Sequence, residues 1–150
     1  MGSDDNQTKD FISRALDAAR FAVLATENSG QPHASLVAIT AMAGIREVVF
    51  ATYRDTRKYR NLTENGRVAV FIEGKGEPDA RLPGRFVVTG VGEAEEIGEP
   101  EKAAPLRLHA GRHPDLESFL RSAKCALFRV TISAYQVVRG VDDVTWIHLH

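Results

Sequence analysis

One cysteine, Cys125, stands in the 150-residue chain, which excludes an internal disulfide and suits a reducing compartment. It opens the apolar run Cys125-Ala126-Leu127-Phe128 and reads as core packing, with Lys124 its only activating neighbour and no base beside it. Long hydrophobic runs are missing too: nowhere do about eighteen apolar residues follow one another, so no membrane helix is expected. The polar start, Met1 to Asp10, has no signal-peptide core. Charge of one sign is also lacking. Nineteen Lys plus Arg face twenty Asp plus Glu, a formal net charge of −1, which leaves no broad electrostatic footprint for nucleic acid or anionic lipid. Any anion site must therefore be local. There are no repeats and no low-complexity tracts. The expectation is a cytoplasmic protein without nucleic-acid or membrane partners.

What is present suffices for one core and one domain, at 43% hydrophobic content. After a polar tail, residues 1 to 7, Thr8 is placed to cap a helix in which Phe11, Ile12, Ala15, Leu16 and Ala19 share a face, ending near Arg20. Phe21 to Thr26 reads as a strand closed by the turn Asn28-Ser29-Gly30-Gln31-Pro32. His33 to Met42 and Glu47 to Tyr53 are further strands, broken by Ala43-Gly44. Asp55 to Glu64 reads as a short helix with Tyr59 and Leu62 inward, and Arg67 to Glu73 as a strand. Gly74 to Gly84 is a connection, possessing no phosphate-loop context. Arg85 to Ile97 is a long strand in which Gly90 and Gly92 permit a bulge or close backbone approach. Helices over Pro100 to Ala110 and Pro114 to Ala123, then strands over Ala126 to Arg139 and Val144 to Leu149, complete the chain. Six or more strands with short helices suggest a small barrel.

The informative stretch is Phe50-Ala51-Thr52-Tyr53-Arg54-Asp55-Thr56-Arg57-Lys58, where a strand passes directly into a helix with Asp55 as the expected cap. Arg57 and Lys58 then sit in the first turn, where the positive end of the helix dipole repels each by roughly 0.3–1 kcal/mol when exposed. An anion lying there reverses the sign. Helix-start amides, a guanidinium fork and an ammonium are the parts of a phosphate cradle, to which Thr52 and Thr56 add hydroxyls. The other reading is a solvated basic turn whose charges pair with Asp55 and Glu64.

Ala22 to Thr26, the Gly30-Gln31-Pro32 turn, Ser35 to Thr40, Val49 to Thr52, Arg57-Lys58 and Asn65 to Val70 follow one another in an order that resembles the pyridoxamine 5'-phosphate oxidase-like, FMN-binding split-barrel family. The resemblance covers Phe21 to Ile97 in order and spacing, and Leu127 to His150 more loosely. It implies a mostly β, α+β split barrel, a homodimer with FMN in a cleft between subunits, and a phosphate held by Arg57 and Lys58. The strand along the flavin falls on Ser35, Leu36, Val37, Ala38, Ile39 and Thr40, and the next contacting pair on Ala51 and Thr52. A later glutamine contact falls on Arg85. Ser35 and Thr40 stand where the oxidase has basic residues, and its terminal tryptophan and arginine fall near Val138 and Trp146 without being retained in place; Trp146 is either packing or a partner for the other subunit's flavin. These departures argue against turnover of a vitamin B6 phosphate.

The resemblance thus implies an FMN-dependent oxidoreductase of unassigned small-molecule substrate or electron donor. The deazaflavin F420 in place of FMN, or a flavin- or haem-binding protein without turnover, are the alternatives. No catalytic side chain is assigned. His33, His109, His113, His148 and His150 are too scattered for metal-ligand spacing, with His113-Pro114 expected to start a helix. Ser35 lacks a His and acidic partner. Glu93, Glu95 and Glu96 flank Ala94 as a solvent face.

Overall fold

The computed structural model describes residues 3–75 and 85–150. Its first helix, α1 (Ser3–Ala18), begins five residues before Thr8, with Asp4 and Asp5 in the first turn, where the dipole favours them. Thr8 is not a cap: its hydroxyl donates to the Asp4 carbonyl at 2.9 Å, a bond made within a helix already under way. Phe11, Ile12, Ala15 and Leu16 form the buried face, as their spacing predicts.

Eight strands follow among the described residues: β1 (Phe21–Asn28), β2 (Gln31–Ala38), β3 (Thr40–Met42), β4 (Glu47–Tyr53), β5 (Arg67–Lys75), β6 (Arg85–Glu96), β7 (Cys125–Gly140) and β8 (Asp143–His148). Between them lie α2 (Arg57–Glu64), α3 (Ala103–Arg112), a 3-10 turn at Pro114–Leu116 and α4 (Glu117–Arg121). Most of the expected Gly74 to Gly84 connection lies outside the described residues, while Gly74 and Lys75 still belong to β5. The two helices expected over 100–110 and 114–123 are shorter, and the second begins as a 3-10 turn with Pro114 in its first position. The β1–β2 hairpin turns on Ser29 (φ 53°) and Gly30 (φ 83°), positive at both central positions as the right-handed strand twist prefers.

The strand expected over His33 to Met42 is two strands, because Ile39 leaves the ladder and donates its N–H to the Arg20 carbonyl at 3.1 Å. That break decides the architecture. β2 pairs with β1 and β3 with β4 in a sheet ordered β2-β1-β5-β6-β7-β4-β3, with β8 on β7. β2 and β3, one residue apart in the chain, occupy opposite ends of this order, so the sheet must curl until its ends meet.

Alternation follows the curl. Ala22, Leu24 and Thr26 of β1 point inward, and Phe50 of β4 stacks on Phe128 of β7 with centroids 5.4 Å apart. Tyr135 closes one end, its hydroxyl donating to the Ile45 carbonyl at 2.6 Å. Both faces of β4 are buried because α3 and α4 cover its outer side: Val49 and Ala51 pack with Leu120, Cys125 and Leu127 in a second cluster. Cys125 is thus core, as expected.

The bulge expected at the β6 glycines occurs between Val91 and Gly92, with the extra residue, Ser133, on β7. A Cβ on Gly92 would lie 2.0 Å from the Thr131 carbonyl oxygen, a backbone atom that cannot move away without shifting the ladder. Gly92→Ala is expected to lower stability by about 3 kcal/mol, the upper range of overpacking, as a reduced urea midpoint at unchanged slope.

Beyond the reach of α3 and α4, no described element covers the outer face of the sheet, and its middle carries exposed hydrophobic side chains. Leu36, Val23, Phe71, Thr89, Gln136 and Trp146 stand opposite one another in a single row across β2, β1, β5, β6, β7 and β8. Leu36 is 68% and Trp146 50% exposed.

Candidate functional site

The strand-to-helix step after β4 is built by Thr56, not Asp55. Thr56 has an extended backbone, accepts the Tyr59 N–H on its hydroxyl and donates to the Tyr53 carbonyl at 2.9 Å. A hydroxyl one residue nearer the helix reaches that N–H, and Asp55 is left exposed. Thr56 is therefore committed to capping, and Thr52, 3% exposed, has its hydroxyl 3.2 Å from that of Thr56. Neither is the open donor that the sequence suggests.

Arg57 and Lys58 occupy the first turn of α2, which contains no acidic residue. Neither makes an ion pair among the described residues, so pairing with Asp55 and Glu64 does not occur. Arg57 points to solvent. Lys58 is half-buried, and burial alone lowers its pKa below the ordinary lysine value. A desolvated ammonium at the positive end of a helix, with no carboxylate in reach among the described residues, is a site of unbalanced positive potential.

Lys58 faces a cleft of about 340 Å³, the lower end of the size range of small-molecule sites. One wall is Leu36, Val37 and Ala38 of β2; another is Ala51, Thr52 and Tyr53 at the end of β4. The helical segment after β6 supplies the third with His109, Leu116 and Phe119, the last packed edge-on against Tyr53 at 4.7 Å. The cleft is mostly apolar with its cation at one end. A larger groove, about 910 Å³, runs past Glu27, Arg67, Glu93 and Glu95 at the other end of the outer face. Its charged groups are mixed in sign and, apart from the half-buried Glu27, exposed, as expected of a solvent face.

Of the residues singled out from sequence, the cleft gathers Leu36, Val37, Ala38, Ala51, Thr52 and Lys58. Ser35 faces the opposite side from Leu36, its hydroxyl buried and without a partner. Ile39 is core, and its carbonyl is held at 2.7 Å by His113 Nε2. Thr40 is buried, its hydroxyl 2.7 Å from His109 Nδ1. Arg85, three strands from β2, pairs with Glu73 at 2.5 Å, and Trp146 is five strands away beside His148. Neither reaches the cleft of its own chain.

Sequence reasoning missed two histidines, His109 in α3 and His113 just after it. His109 and His113 are each 1% exposed and hold the β2–β3 break residue Ile39 and the first residue of β3, Thr40. Arg112 between them donates to the carbonyls of Leu16, Asp17 and Ala19 at the end of α1. Their four-residue spacing was visible, but the buried partners lie some seventy residues earlier. Burial, with repulsion from His113 and Arg112, pushes the His109 pKa down to about 4.

Because the unfolded chain takes up this proton near pH 6.5 and the folded one only near 4, stability is full above about 6.5 and declines as pH falls toward 4. The loss is on the order of 3 kcal/mol. Denaturant midpoints measured between pH 7 and 4 should show that decline, and His109→Gln should flatten it.

A family model for pyridoxamine 5'-phosphate oxidase matches residues 8–139. No curated protein matches the sequence. Among solved structures, a heme binding protein from Mycobacterium smegmatis is similar with TM-score 0.80 at 20% identity, over 93% of this chain. This chain spans only 57% of that one. General Stress Protein 26 from Bacillus anthracis is similar with TM-score 0.72 at 16% identity, over 95% of this chain and 99% of the other. An FAD-binding protein from Mesorhizobium loti gives TM-score 0.70 at 18% identity, over 85% and 91%.

Proposed function

The chain belongs to the pyridoxamine 5'-phosphate oxidase family, and from that premise we propose that it binds FMN in the cleft at the start of α2 as an oxidoreductase of a small-molecule substrate. The observation that carries this reading is Lys58: half-buried, unpaired with any carboxylate among the described residues, and set in a helix turn that repels it. A ligand phosphate supplies the missing counter-charge to Lys58 and Arg57 and accepts from the free amides of the α2 start. The apolar walls at Leu36 to Ala38 and Ala51 suit a planar ring. Once bound, isoalloxazine would supply the hydride and electron transfer; the chain's residues bind it, orient it and exclude water.

A vitamin B6 phosphate is a poor fit as substrate. Ser35 and Thr40 are uncharged, and Thr40 is buried under His109, so a second phosphate clamp on this strand is missing.

The bare outer face supports a homodimer. The Leu36 to Trp146 row begins at the cleft and ends five strands away, so a two-fold axis across it would carry the partner's Trp146 and Arg85 toward the open side of the cleft. Residues that lie too far away within one chain would then complete the site.

The test is the visible spectrum of the purified protein and the mass of any chromophore released on denaturation. FMN, reducible in place by NADH or NADPH and reoxidised by an acceptor, is the expected result. A colourless protein that takes up no added FMN would overturn the reading, and titration with F420 or haem would then show which of the alternative cofactors the cleft accepts. Bound FMN that neither donor reduces would leave a flavin-binding protein without turnover.

A further inference from the structure

Resting on that reading of the cleft, we propose that His109 is a ligand contact contributed by α3, presenting its Nε2–H to an acceptor atom on the polar edge of the bound ring. His109 lines the cleft, and its ring orientation is set from behind: Nδ1 lies 2.7 Å from the Thr40 hydroxyl. That hydroxyl has no other acceptor among the described residues, so it donates to Nδ1 and the ring proton sits on Nε2. Nε2 itself is buried and without a hydrogen-bond partner.

The neighbouring histidine does not relieve this. His113 Nε2 must donate to the Ile39 carbonyl, since a carbonyl only accepts, which leaves His113 Nδ1 as a bare acceptor. The two rings are 4.8 Å apart and inclined at 58°, and neither free nitrogen finds the other. A buried donor left unmade is costly, and within a functional cleft the group that removes the penalty is a ligand acceptor. The low pKa keeps the imidazole neutral at physiological pH, so the contact is a neutral hydrogen bond that selects for an acceptor, not a charge. The apolar walls are indifferent to the ring's orientation, whereas a single fixed donor is not. His109 would thereby fix which edge of the ring enters first.

Protein labelled with 15N at histidine, titrated with FMN, provides the direct measurement. The expected result is a shift of the His109 Nε2 resonance, with its proton retained, while His33, which does not line the cleft, stays unmoved. In parallel, His109→Leu should weaken FMN binding about tenfold, equivalent to about 1.4 kcal/mol, and displace the flavin absorption bands; His109→Gln, which keeps an N–H donor, should restore most of both. An unmoved His109 resonance on saturation with FMN overturns the proposal even if His109→Leu fails to fold. So does a folded His109→Leu protein with wild-type affinity and spectrum. Wild-type protein that binds no FMN removes this contact together with the flavin reading, whereas FMN binding with a silent His109 removes the contact alone.

Discussion

Replacing Arg57 and Lys58 together with alanine is expected to leave a folded protein that no longer retains FMN. Two charge-assisted contacts of about 1.5–3 kcal/mol each are removed, so the dissociation constant should rise roughly a hundredfold or more. The same double variant should be slightly more stable than wild type without ligand, because both cations sit where the α2 dipole repels them and no acidic residue of the first turn compensates. The opposite signs are the informative part. A structural role for the pair predicts that stability and binding fall together, while a phosphate cradle predicts that binding falls as apoprotein stability rises. FMN retention by the double variant, measured by equilibrium dialysis and flavin fluorescence, would place the phosphate elsewhere.

Charge placed in the middle of the bare outer face should have the next largest effect. Val23 and Phe71 are cross-strand partners in the row that runs from Leu36 to Trp146, and neither lines the cleft. Val23→Glu or Phe71→Glu would bury a carboxylate without a partner in any two-fold packing of this face. Each single variant should sediment as a monomer, and FMN should bind at least tenfold more weakly because the partner's Trp146 and Arg85 no longer cover the cleft. Variants that remain dimeric would move the interface to another face. Monomers that bind FMN as tightly as wild type would show that one chain holds the whole site.

Periodicity made most of the elements legible. The inward face of α1, the hairpin at Ser29-Gly30, the basic start of α2 and the irregularity at Gly90 to Gly92 are each set by residues close together in sequence, whose local preferences agree with the fold. Boundaries were less legible where a contact from far away overrode the local pattern. Ile39 has the character of a strand residue, yet it leaves the ladder because the Arg20 carbonyl and the His113 imidazole capture its backbone. Thr8 has the character of a cap, yet two acidic residues before it extend the helix.

The sequence by itself determined a mostly β fold, a basic turn at a helix start in a near-neutral chain, and a family whose order of strands it follows. These depend on composition and on neighbours within a few residues, which the chain carries wherever it folds. Only the tertiary structure decided that six of the twelve expected ligand residues share one cleft, that Thr40 and Ile39 are held behind it by His109 and His113, and that Arg85 and Trp146 lie on the far part of the same bare face. The reason is the curl. Joining β2 to β3 across the split brings residues 36–38 beside residues 51–53, and helices laid over β4 bury two histidines that sequence spacing had left scattered.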